Sequence, residues 1–202
     1  MRVGVLGTGR MAIGLGRAWA GAAVDVCLGS RDPEGARARV GTIERLEVAD
    51  CATAAAAPVV VLATPFAATP GLVRELAGAL GGKVIVDITN PFGAAPAGRS
   101  GISVHQDALG CPATWVAAFK TNFAATIGAP DFVVRQCLIA GDDSRAMELT
   151  ADLARKAGFA PLVCGGLAMA AALDLMVPLM IALDQAHGEG AGRSHWRFVA
   201  EH

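Results

Sequence analysis

Short, unbroken apolar runs recur along the first half of the chain, and segments with helical spacing separate them. RVGVLG (2–7), AVDVCLG (23–29), PVVVLAT (58–64) and KVIVDIT (83–89) each read as a strand, and LEVAD (46–50) as a shorter one. RMAIGLGRAWAGA (10–22) and GLVRELAGAL (71–80) read as helices. DPEGARARV (32–40) reads as a third, with Asp32 as N-cap and Pro33 at the first helical position. Strands that are apolar throughout are buried on both faces. The alternation therefore predicts a parallel sheet covered by helices on either side.

The second half is less regular. PFGAAPAGRSG (91–101) reads as a loop, TWVAAF (114–119), VVRQCLIAG (133–141) and APLVC (160–164) as strands. Residues 142–159 open on Asp142 and Asp143 and end on Lys156 and Gly158, the charge polarity of a well-formed helix. LAMAAALDLMVPLMIAL (167–183) is nearly as long as a membrane span, but it carries Asp174 and Pro178 and reads as a buried helix. A polar tail follows it.

Composition narrows the classes. In 202 residues, 53% are hydrophobic and 17% charged, which leaves little room for a disordered tail. A formal net charge of −1 supplies no basic field for nucleic acid or an anionic membrane. Five scattered cysteines without a C-x-x-C argue against a disulfide framework and a zinc site. The first residues run straight into a strand pattern, so the expected location is the cytoplasm.

One motif carries chemistry. GTGRMA, Gly7 to Ala12, is G-x-G-x-x-A, set between the first strand and the first helix. There Gly7 permits the tight turn, Gly9 lets the backbone approach a pyrophosphate, and Ala12 keeps helix and strand close. Thr8, Arg10 and Met11 complete the loop, whose helical amides face the phosphates. The fold class is thus α/β, a Rossmann-type doubly wound sheet with a C-terminal helical appendage. Residues 1–164 form the dinucleotide-binding domain and 165–202 the helix and tail. A carboxylate at the end of the second strand would accept from the ribose of NAD. Here Ser30 and Arg31 occupy that place, a hydroxyl and a guanidinium fork suited to the 2′-phosphate of NADP, with Arg37 a weaker third.

With these residues, and with MRVGVLGTGRMAIGLG, LGSRDPEGA, VVVLATPF, KVIVDITNPF, WVAAFKTNFA and LIAGDDSRAMELTADLARKAGFAPLVCGGLAMAAALDLMVPLMIAL in order, the chain resembles the NADP oxidoreductases that depend on coenzyme F420, a deazaflavin. The reductase domains of metalloreductases share this architecture. The resemblance implies that Thr64 and Pro65, and Asn90 and Pro91, lie along the nicotinamide half of NADP. It also implies that the segment around Lys120 borders the reacting rings, where some family members carry a histidine. The implied second substrate is F420 or a flavin.

No nucleophile elbow, paired carboxylates or H-E-x-x-H is evident. Hydride transfer between ring cofactors needs none of these, because the cofactors carry the reaction. Lys120 is the catalytic candidate, a cation beside a ring that gains negative charge, and it could equally pair with an acid. Lys120 or His105 could serve an alcohol dehydrogenase instead. The alternatives to F420 are reduction of a flavin, a metal or a small carbonyl compound, or NADPH sensing without catalysis. The apolar helix is expected to pack on the sheet domain or on a second copy in a homodimer.

Overall fold

Every strand expected from the apolar runs forms, and together they make one sheet. In the computed structural model, which describes residues 1–128, 133–188 and 190–200, the elements are β1 (Arg2–Leu6), α1 (Arg10–Gly21), β2 (Asp25–Ser30), α2 (Pro33–Val40), β3 (Leu46–Asp50), α3 (Cys51–Ala55), β4 (Val59–Leu62), α4 (Thr69–Glu75), α5 (Ala77–Leu80), β5 (Val84–Asp87), α6 (Gly101–Leu109), β6 (Thr114–Ala117), β7 (Gln136–Gly141), α7 (Ser144–Lys156), β8 (Ala160–Gly165) and α8 (Ala170–His187). Glu201 and His202, the end of the polar tail, lie outside the described residues.

The strand order is β3-β2-β1-β4-β5-β6-β7-β8. The chain starts in the middle of the sheet, winds outward to β3, then returns to β4 beside β1. Loops after β1 and β4 therefore diverge, and they leave a crevice at the carboxyl ends of the strands.

The alternation of side chains explains both layers. Val3, Val5, Val61 and Val86 face α1, α2 and α7, while Val60, Leu62, Ile85 and Trp115 face α3 to α6 and α8. Trp19 of α1 is fully buried and its indole N–H donates to the Leu153 carbonyl at 2.8 Å, which ties α1 to α7.

The sheet is not parallel throughout, contrary to the expectation from the apolar runs. β6 and β7 pair antiparallel, and β8 is parallel to β7. A parallel return needs a crossover, usually a helix of a dozen or more residues. Between β6 and β7 the described residues hold only a single 3-10 turn, Ala124–Thr126, so the chain doubles back. Antiparallel and parallel buried strands are equally apolar, and composition does not distinguish them.

Two helices were not legible as such. The sequence pattern assigns no element to 102–113, where α6 forms. It has its own signals: the Ser100 hydroxyl accepts from Ser103 N at 3.2 Å, and Gly110 closes the helix in the left-handed region at φ 67°. α3 is one short turn capped by Asp50, which accepts from Thr53 N at 2.7 Å. The segment 71–80 divides into α4 and α5 around Leu76.

α8 folds back on the sheet domain. Ala170, Leu173, Asp174, Val177, Met180 and Asp184 form its buried face. Leu175, Leu179 and Leu183 form an apolar stripe on the other side, Leu175 being 77% exposed. Leu167–His187 is long and apolar enough to cross a membrane. Its two carboxylates are nonetheless buried and hydrogen-bonded within the protein. Asp174 accepts from Gly101 N, and Asp184 from Gly192 N and Ser194 N of the returning tail.

Candidate active site

The glycine loop has the geometry that its sequence predicts. Gly7 sits at φ 130°, and a Cβ there would lie 2.6 Å from the Ala63 carbonyl oxygen, so the β1 and β4 loops touch only because Gly7 lacks a side chain. Gly9 is the N-cap of α1 in extended conformation, and an added Cβ would meet nothing within 4 Å. α1 has no side-chain cap and no acidic residue in its first turn. Its first amides thus lack intrahelical partners and face open space, the arrangement that receives an anion. Thr8 is half-buried, Arg10 is exposed, and Met11 turns into the cleft.

β2 ends beside this loop, where Gly7 N donates to Gly29 O at 2.9 Å. Ser30 is buried, and its hydroxyl accepts from Asp32 N at 3.1 Å and donates to Asp32 O at 2.9 Å. Its proton is therefore committed to the turn that starts α2. Arg31 is exposed and makes no side-chain hydrogen bond or ion pair among the described residues. Arg37 is tied to the sheet through Nε, which donates to Val48 O at 3.0 Å. Of the three, Arg31 has all its donors unengaged, while Arg37 keeps only its terminal nitrogens.

A cleft of about 340 Å³ opens at the carboxyl ends of β4 and β5. Met11, Pro65, Phe66, Ile88, Pro91 and Phe92 make it largely apolar, with Thr64, Thr89 and Asn90 as its polar lining. Thr69 donates to Pro65 O at 3.1 Å, so the 2.8 Å contact between the Thr64 and Thr69 hydroxyls has Thr64 as donor. Asn90 Nδ2 donates to Lys120 O at 3.0 Å. Thr89 Oγ1 and Asn90 Oδ1 are buried without a hydrogen-bond partner. Both residues line the cleft, although these two atoms themselves have almost no exposed surface.

Beneath the floor lies a cluster of charge. Asp87, the last residue of β5, is fully buried, and its Oδ2 is 2.8 Å from His105 Nδ1 on α6. Its Oδ1 accepts from Thr89 N at 2.7 Å. Lys120 Nζ donates to Thr89 O at 2.6 Å and lies 2.9 Å from Asp174 Oδ1 of α8 and 3.8 Å from Asp87 Oδ1. Burial pushes the Asp87 carboxyl up. Lys120 and His105 outweigh that and hold it below the usual carboxylate range. Phe119, immediately before Lys120, is buried at φ 55°, a conformation that costs a bulky residue about 1–3 kcal/mol.

The expected residues thus divide into three groups. Gly7, Gly9 and Met11 border the crevice, with Arg31 exposed beside it, and Thr64, Pro65, Asn90 and Pro91 line the cleft. Ser30 faces its own turn. Lys120, expected to face the reacting rings, is only 2% exposed and points its ammonium under the floor. That geometry removes the basis for direct contact with a ring. Asp87, His105 and Asp174 were missed as a set. The signal was an acid at the end of one apolar strand and another inside an apolar helix, which need a buried cation to offset them. Among the described residues no group of three His, Cys, Asp or Glu side chains could hold a metal, and all five cysteines are free.

Residues 2–91 match the family described as NADP oxidoreductase, coenzyme F420-dependent. An F420-dependent NADP reductase of Methanothermobacter thermautotrophicus is 32% identical over 91% of this chain and 89% of that protein. The metalloreductase STEAP3 of Rattus norvegicus is 30% identical over 89% of this chain, but only over 37% of that protein. A crystal structure of a candidate F420-dependent NADP reductase from Arthrobacter sp. FB24 superposes with a TM-score of 0.83 at 25% identity, over 98% of this chain and 99% of that one.

Proposed function

The chain belongs to the coenzyme F420-dependent NADP oxidoreductase family, and from that premise we propose that it passes a hydride between NADP(H) and F420. The likeness to the Methanothermobacter thermautotrophicus reductase, along 89% of its length, carries this reading.

The residues fit a dinucleotide. The uncapped start of α1 and the open space over Gly9 suit a pyrophosphate, while Thr8 and Arg10 flank it. Arg31 would hold the 2′-phosphate, with Ser30 shaping the turn that presents it and able to add a bond if its hydroxyl rotates. The nicotinamide end fits the cleft lined by Thr64, Pro65, Asn90 and Pro91, whose polar residues Thr64, Thr89 and Asn90 would lie beside its polar edge. When bound, the two cofactors supply the hydride chemistry. The chain aligns them and excludes water, and the apolar side chains of Met11, Phe66 and Ile88 serve the second task.

Residues 1–164 would bind NADP(H), with 165–202 supporting the acceptor site and assembly. The stripe of Leu175, Leu179 and Leu183 supports a homodimer formed through α8 in the cytoplasm. Sedimentation at micromolar concentration should give a dimer, and Leu175→Asp a monomer. A monomeric parent refutes that part.

The experiment that tests the activity is an acceptor screen. NADPH oxidation is followed with F420, FMN, a ferric chelate and a small carbonyl compound in turn. F420 should turn over fastest, and a higher kcat/KM with another acceptor overturns the reading.

A further inference from the structure

We propose that Lys120 is a positioning residue that sets the floor of the cleft under the nicotinamide: its ammonium, held by Asp174 and Asp87, anchors the Thr89 carbonyl, while its own carbonyl anchors the Asn90 side chain. This rests on the reading of the cleft as an NADP(H) site.

Both polar ends of Lys120 act on consecutive residues of one loop. Nζ donates to Thr89 O at 2.6 Å, and Lys120 O accepts from Asn90 Nδ2 at 3.0 Å. Those two residues also line the cleft. Fixing Asn90 Nδ2 against Lys120 O fixes the orientation of the Asn90 amide. Thr89 is held from the opposite side as well, because its N–H donates to Asp87 Oδ1 at 2.7 Å. Its peptide is thus pinned at both ends by one ion cluster.

The cluster explains how a lysine can be buried there. A buried ammonium needs carboxylates and further hydrogen bonds to offset lost hydration. Asp174 comes from α8 and Asp87 from β5, and each is itself held by α6, through Gly101 N at 2.7 Å and His105 Nδ1 at 2.8 Å. Three elements and the loop after β6 therefore meet at one point directly below the floor. The positive φ of Phe119 turns the chain where β6 has ended and directs Lys120 to this point. The floor cannot shift without separating charges in a buried setting, and small displacements of a reacting group cost large factors in rate.

The test uses Lys120→Met together with Asp174→Asn, which removes one charge of each sign and keeps an acceptor for Gly101 N. Asp174→Asn alone is the milder second variant, since Lys120 retains Asp87. Three quantities are measured: affinity for adenosine 2′,5′-bisphosphate, affinity for NADPH by calorimetry, and kcat with F420. The fragment lacks the nicotinamide, so its affinity should stay within about twofold of the parent. NADPH affinity should fall about fivefold and kcat about tenfold or more, the single variant moving in the same direction by less. Equal weakening of fragment and NADPH means a general structural role and overturns the proposal. Unchanged NADPH affinity and kcat overturn it too. A parent that binds neither ligand refutes the underlying cofactor reading instead.

Discussion

The two ends of the proposed dinucleotide site are built in opposite ways. At the phosphate end the protein offers open backbone and a solvent-exposed side chain: nothing lies within 4 Å of a Cβ on Gly9, and Arg31 is exposed. At the nicotinamide end, Thr89 and Asn90 rest on an ion cluster whose members are nearly inaccessible, with Asp87 and His105 at 0% exposure. An exposed charge can select a ligand by its charge, yet it tolerates displacement and is screened by salt. A buried cluster contributes nothing to long-range attraction, but it fixes atoms, because moving one charge leaves another unpaired. On the proposed reading, affinity and cofactor choice belong to the outer end, and geometry for hydride transfer to the inner end.

The largest expected effect tests the outer end. Gly9→Val fills space that is empty in the protein but needed by the pyrophosphate. NADP binding should become undetectable by calorimetry, while the melting temperature stays within a few degrees. Unchanged NADP affinity would remove the phosphate-loop reading.

Asp87→Asn probes the inner end. Removing one partner of a buried ion pair typically costs about 3–5 kcal/mol, so urea unfolding at pH 7 should show a large loss of stability. The pH dependence has a defined sign. The folded-state value of Asp87 is lowered, so its contribution is complete above the unfolded value, about 4, and is lost as pH falls through the lower folded value. The gap between parent and variant should therefore narrow below about pH 4. A gap that is constant from pH 7 to pH 3 contradicts the charge cluster.

Arg31→Ala should have the smallest of these effects and affect only one ligand. A charge-assisted hydrogen bond contributes about 1.5–3 kcal/mol, and an exposed one lies near the lower figure. NADP affinity should fall roughly ten- to thirtyfold and NAD affinity hardly at all, with the difference shrinking in high salt. Ser30→Asp should go further by adding repulsion toward the phosphate and an acceptor for ribose hydroxyls. Equal losses for NADP and NAD in Arg31→Ala would break the contrast between the two ends.

The sequence by itself determined the strand set, the phosphate loop and the cleft-lining loops after β4 and β5. These depend on local properties: apolar runs that must be buried, a glycine spacing that permits close backbone approach, and the position of a loop directly after a strand. Only the tertiary structure decided the rest. The reversal at β7 depends on the path of the loop before it, which apolar content does not record. The Ser30 proton was committed by a turn two residues on. Lys120, His105, Asp87 and Asp174 come together from three elements and a loop, up to 87 positions apart in the chain, and no local pattern signals such a meeting. A buried charge is tolerated only where its partners converge, and convergence is a property of the packed fold.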